Sequence, residues 1–161
     1  MPKRVFTRDD GYVPADLVRC GVDHLSAARH LFERDPDAYD SAGYLSQLGI
    51  ELILKGWLLE ASGKFSDDHR LSRLYGELVR QKRAEPLDAE MVALLGKLDS
   101  FFNLRYPKPE RPMEIGSEDA DRVRVFASML YHSMPKSLLD ALGKLESNKK
   151  AGRILMRKPK D

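Results

Sequence analysis

The sequence predicts an all-α protein, an antiparallel up-and-down four-helix-type bundle with additional short helices. Three observations lead there. Apolar residues recur at spacings of three and four over most of the chain, most cleanly at Leu87, Met91, Leu94, Leu95, Leu98, Phe101 and Phe102. No run alternates with a period of two, so no sheet is expected. Proline, glycine and acidic caps interrupt the pattern at short intervals, and short connections make consecutive helices antiparallel neighbours. The 161 residues are 42% hydrophobic and 32% charged. That is material for one core and a charged surface, in a chain long enough to fold without disulfide or metal.

The first helix carries Leu17, Gly21, Leu25, Ala28 and Phe32 on one face, with Pro14 in its first turn, where a missing N–H costs nothing. Arg34-Asp-Pro-Asp37 breaks it. The second is expected from about Pro36 to Ser62 and stops at Gly63, a left-handed cap. Its half from Leu48 to Leu59 is apolar nearly all round, as suits a buried central helix. Asp67 or Asp68 would cap a third helix carrying Leu71, Leu74, Tyr75 and Leu78. Pro86 would open the fourth, whose stripe ends at Phe102. Pro107, Pro109 and Pro112 then enforce a stiff extended loop from Arg105 to Pro112. Ser117, followed by Glu118 and Asp119, reads as the start of a fifth helix with Val123, Phe126, Ala127, Leu130 and Met134 inside. Pro135 starts a short sixth through Leu138, Leu142 and Leu145.

Formal net charge is only +2, but it is unevenly spread. Residues 148–161 hold six basic residues against Asp161, a net of +5. Residues 1–147 hold 21 basic and 24 acidic residues, a net of −3. The reading is one helical domain over 1–147 and a basic, flexible tail over 148–161. A mildly acidic body argues against a general nucleic-acid clamp. Cys20 is the single cysteine, so no disulfide framework or cysteine metal cluster is expected, and neither a cofactor nor a metal. The segment Met1 to Arg8 is too short and too charged for a secretory signal, and Ile50–Leu59 is too short and too interrupted to span a membrane. The expectation is a soluble cytoplasmic protein that makes no membrane contact.

Phosphate loops, paired helical histidines and nucleophile elbows are all missing. His24, His30, His69 and His132 are scattered, and singly bonded or partly exposed histidines are expected rather than a metal site. Glu51 and Lys55 stand four apart in the favourable order for a helical ion pair, with Gln47 before them on the same stripe. In so greasy a helix that stripe is either a solvated edge or a buried polar seam. The plainer expectation is the edge, where such a pair contributes a few tenths of a kcal/mol. The loop is the most distinctive local feature. Arg105, Tyr106, Lys108 and Arg111 in one stiff segment could stack on and pair with a nucleotide. The plainer expectation is that Tyr106 and Pro107 cover the end of the bundle while Arg105 pairs with an acid such as Glu51.

Taken together, Tyr44-Leu-Ser-Gln-Leu-Gly-Ile-Glu-Leu-Ile-Leu-Lys-Gly-Trp-Leu-Leu59, Gly63-Lys-Phe65, His69 with Leu71 and Leu74, and Arg105-Tyr-Pro107 resemble the HEPN domain family over about residues 12–133. The resemblance implies an up-and-down helical bundle, commonly a homodimer. Such domains are often encoded beside small nucleotidyltransferases or within toxin–antitoxin systems, so a nucleotidyltransferase, toxin or antitoxin is an implied partner. Active members are metal-independent endoribonucleases using Arg-x(4–6)-His on a late helix. Here no histidine follows Arg105 or Arg111 within seven residues, and Arg124 and His132 are separated by seven. The literal match, Arg19 with His24, puts the two side chains on different faces of the first helix. The expected function is therefore a non-catalytic binding or accessory module. It would contact a nucleotide, RNA phosphate or partner protein, with Glu51, Lys55, His69, Arg105, Tyr106, Lys108 and Arg111 as candidate binding residues. One alternative is an endoribonuclease using Arg124 and His132, which about 800° of helical rotation leaves some 80° apart. Another is an interaction scaffold with no ligand.

Overall fold

The computed structural model describes residues 2–150. Among them are six α-helices and one two-stranded ribbon, in the order β1 (Val5–Thr7), α1 (Pro14–Arg34), α2 (Tyr39–Ser62), β2 (Lys64–Ser66), α3 (Leu71–Arg80), α4 (Ala89–Phe101), α5 (Ser117–Ser133) and α6 (Lys136–Lys150). Short 3-10 turns occupy Arg8–Asp10, Pro36–Ala38 and Phe102–Arg105. The all-α bundle is as the sequence predicts. Helix α6 runs to Lys150, and the rest of the basic tail lies outside the described residues. No helix of the described residues is long and apolar enough to cross a membrane.

Helix α2 is the central element. Ile50, Ile53, Leu54, Trp57, Leu58 and Leu59 are all buried, facing α1, α3 and α4 in turn. Its closest neighbour is α1, and the reason is a pair of glycines. A Cβ on Gly21 would lie 2.5 Å from the carbonyl oxygen of Gly49, and one on Gly49 would lie 2.8 Å from that of Gly21. The two backbones touch there, a spacing that any side chain would prevent.

Five details differ from the sequence reading. Helix α4 begins at Ala89 instead of Pro86, because Asp88 caps it, its Oδ1 accepting from the Met91 N–H at 2.8 Å. Strand β1 pairs antiparallel with β2, Phe6 opposite Phe65, where no sheet was expected. Three-residue strands are too short to show a period of two. An aromatic cluster supports them: Phe6 stacks on Phe65 at 5.4 Å, and Tyr12 meets both edge-on. Helix α2 begins at Tyr39, not Pro36, because a 3-10 turn capped by Asp35 absorbs the proline. Neither Asp67 nor Asp68 caps α3. Asp99 of α4 does, its carboxylate accepting from the N–H groups of Leu71 and Ser72 and from the Ser72 hydroxyl at 2.6 Å. Helix α5 is capped at Gly116, whose N–H donates to Asp119 Oδ2 at 2.8 Å, rather than by the hydroxyl of Ser117. Asp119 is buried and also pairs with Lys97 at 2.6 Å, tying α5 to α4.

Candidate functional site

The stripe Gln47, Glu51, Lys55 is spaced every four residues along α2, and all three side chains are buried, at 0%, 4% and 7% exposure. The expected solvated edge is thus corrected to a buried polar seam: β2 and the segment leading into α3 cover it. Lys55 Nζ donates to Glu51 Oε1 at 2.6 Å and lies 5.8 Å over the ring centre of Phe65. His69 Nδ1 stands 2.9 Å from the same Oε1. Facing a carboxylate acceptor, Nδ1 carries the proton. Gln47 Nε2 bridges Glu51 Oε2 at 3.1 Å and the His69 carbonyl oxygen at 2.9 Å. One carboxylate therefore satisfies an ammonium, an imidazole and an amide, which is what permits a charge in this position.

His69 is anchored at one end and open at the other. Its side chain is 51% exposed, and its ring lies on that of Phe102 with centroids 5.0 Å apart and planes 16° from parallel. Beside it, Asp68 fastens the same segment to the ribbon. It pairs with Lys3 and with Arg73 and accepts from the Arg70 N–H at 3.0 Å. Burial works against the Asp68 carboxylate, but Lys3, the Arg70 N–H and Arg73 outweigh it and bring its pKa from 3.8 down to about 2.

Beyond Phe102 the chain turns once as a 3-10 helix to Arg105 and enters the proline loop. The loop does not seal the bundle end as expected. Tyr106 is 71% exposed, and the Arg105 guanidinium lies 5.5 Å over the Tyr106 ring instead of reaching Glu51. Between loop and bundle runs a groove of about 330 Å³, lined in part by Asp40, Phe102, Tyr106, Lys108, Arg111 and Met113. Close packing at Gly43 of α2 holds the far side of the loop down, since a Cβ there would lie 2.8 Å from Ile115 Cδ1 and 3.0 Å from Leu104 Cδ1.

The candidate residues thus fall into two groups. Glu51, Lys55 and His69 form the seam, while Tyr106, Lys108 and Arg111 line the groove, with Arg105 just outside it on Tyr106. Phe102 joins the two groups and was missed because its spacing reads as the last core position of α4. Asp40 was missed because nothing in a helical first turn signals a groove 60 residues further along the chain.

Arg124 and His132 are placed apart. Arg124 pairs loosely with Asp121 at 3.8 Å and lines a second groove of about 760 Å³ between α1 and α5. His132 is exposed, bonds the Ser128 carbonyl oxygen at 2.7 Å and does not line that groove. The Arg19 guanidinium is taken up by Asp23 at 3.1 Å. No group of three or more potential metal ligands occurs among the described residues.

Comparison with known proteins agrees with this architecture. Neither the curated proteins nor the solved structures give a match. The family model of the HEPN domain matches residues 15–138, from the first turn of α1 into α6. A match over that much of the sequence, on a bundle of this form, places the chain in the HEPN domain family.

Proposed function

We propose that this chain is a non-catalytic HEPN module that binds a nucleoside phosphate, free or as part of an RNA, in the groove beside the Arg105–Arg111 loop. The carrying observation is the make-up of that groove. Phe102 and Tyr106 offer aromatic surface to a base. Lys108 and Arg111 offer positive charge to phosphate, and neither is neutralised by a carboxylate among the described residues. Asp40 adds an acceptor for a base amino group or a ribose hydroxyl. A volume of about 330 Å³ falls at the lower end of small-ligand sites, as suits one nucleotide. Family membership supports a nucleotide- or RNA-related role. The separation of Arg124 from His132 gives no support to an acid–base pair, so binding is the favoured reading.

The test is equilibrium binding of two probes, N-methylanthraniloyl-ATP and a fluorescein-labelled ten-nucleotide oligoribonucleotide, at low salt. Binding of the nucleotide alone identifies a free ligand, and binding of the oligomer alone identifies RNA. Lys108→Ala with Arg111→Ala should weaken whichever binds by about tenfold or more, since charge-assisted hydrogen bonds contribute about 1.5–3 kcal/mol each. A parent protein that binds neither probe overturns the proposal.

A further inference from the structure

We infer that His69 is a positioning residue of the groove. It is held from behind by Glu51 and Gln47, and its ring sets the plane of Phe102, the aromatic wall on which a base would lie. The inference rests on the groove being a ligand site and adds what keeps that site in shape.

Glu51 lies in the middle of α2 and is 4% exposed, with Lys55 at 2.6 Å, so its carboxylate is an immobile anchor. His69 lies in an irregular segment before α3 that the Asp67 N–H and the Asp68 carboxylate tie to the start of the chain. Two bonds from α2 fix the residue itself: Glu51 Oε1 holds the imidazole, and Gln47 Nε2 holds its carbonyl oxygen. Side chain and backbone are thus pinned separately, to neighbouring turns of one helix. The imidazole then lies nearly parallel to Phe102. Phe102 is the first residue after α4 and is only half-buried, so its own helix does not fix its ring. A flat neighbour tethered to the core supplies what burial does not.

The consequence is a division of labour within the candidate residues. His69 lines no part of the groove, so it acts through Phe102 and not on the ligand. The seam has a use beyond packing. A buried ion pair adds little net stability over apolar residues of the same size. An anchor for a half-exposed aromatic plate requires a group that can be both buried and directional, and a carboxylate–imidazole bond is both.

The experiment uses the full chain with His69→Ala, Phe102→Ala, the double variant and His69→Phe. Removing His69 leaves Glu51 paired with Lys55 and Gln47, so the fold should persist, and thermal melting checks this. Amide hydrogen exchange at residues 102–105 should rise several-fold in His69→Ala, with the amides of α4 unchanged. Affinity for whichever probe the parent binds should fall about three- to tenfold in His69→Ala, the range of one aromatic pair. The double variant should bind no more weakly than Phe102→Ala alone, and His69→Phe, which restores a ring without the bond to Glu51, should recover less than half of the loss.

Unchanged affinity in His69→Ala overturns the inference. So does an additive loss in the double variant, which would mean that His69 meets the ligand itself, or full recovery with phenylalanine, which would mean that the bond to Glu51 is not needed. If the parent binds neither probe, the groove reading fails separately. Exchange at 102–105 then decides alone, and unchanged exchange in His69→Ala overturns the positioning role.

Discussion

Glu51 shows how a single residue can carry three obligations at once. It neutralises Lys55, orients His69 and accepts from Gln47, all with under a twentieth of its surface exposed. Removing it by Glu51→Ala leaves the Lys55 ammonium buried with no counter-charge, which costs about 3–5 kcal/mol. Replacing the pair, Glu51→Leu with Lys55→Met, removes the orphan charge together with its partner and should cost less than the single change. Urea denaturation of the three proteins measures both, and a cost below about 1 kcal/mol for Glu51→Ala would mean that water reaches the seam. The spacing of Gln47, Glu51 and Lys55 was legible in the sequence; their burial was not. A polar stripe on a greasy helix looks the same whether its cover is solvent or a later segment of chain, and the cover here is the 64–70 stretch.

At the scale of elements, helices were legible and their fastenings were not. Helix α2 announces itself because its apolar residues and Gly63 all say the same thing locally, and the Gly63 N–H does close on Leu59. The cap of α3 lies 28 residues away on α4, so no local pattern could point to Asp99. The same holds for β1, whose pairing depends on Phe65 and on ion pairs from Lys3 to Asp68 and from Arg8 to Glu60. Asp68 makes this fastening sensitive to acid. Its pKa, about 2 in the folded chain against 3.8 ordinarily, is depressed, so the folded state favours the carboxylate. The stabilisation is therefore fully present above about pH 4 and is lost as pH falls through 2. Its size is at most about 2 kcal/mol, reduced because Lys3 and Arg73 are half in solvent. Asp68→Asn should be less stable than the parent at pH 7, and the difference should shrink steeply as pH falls from 4 to 2, measured by thermal melting across that range. A difference that persists undiminished at pH 2 would assign the loss to packing instead of charge.

For the molecule as a whole, charge is the property that separates a local binding site from a general one. The body over 1–147 carries a net of −3, so its summed field repels a polyanion, and attraction has to come from a few cations close together. The proline loop supplies them, with Lys108 and Arg111 both at the groove. The basic residues after 150 would supply a different kind of attraction, diffuse and additive with each phosphate touched. Salt dependence distinguishes the two. Two phosphate contacts to a single strand give a slope of log affinity against log salt of about −1.4, because each neutralised phosphate releases about 0.7 of a counterion. An oligoribonucleotide bound by the groove alone should show that slope, and a chain ending at Lys150 should keep both the slope and the affinity within about twofold. A slope steeper than about −3 in the full chain that relaxes on truncation would place the nucleic-acid contact in the tail. Lys108 and Arg111 would then be bystanders, and the groove a site for the free nucleotide only.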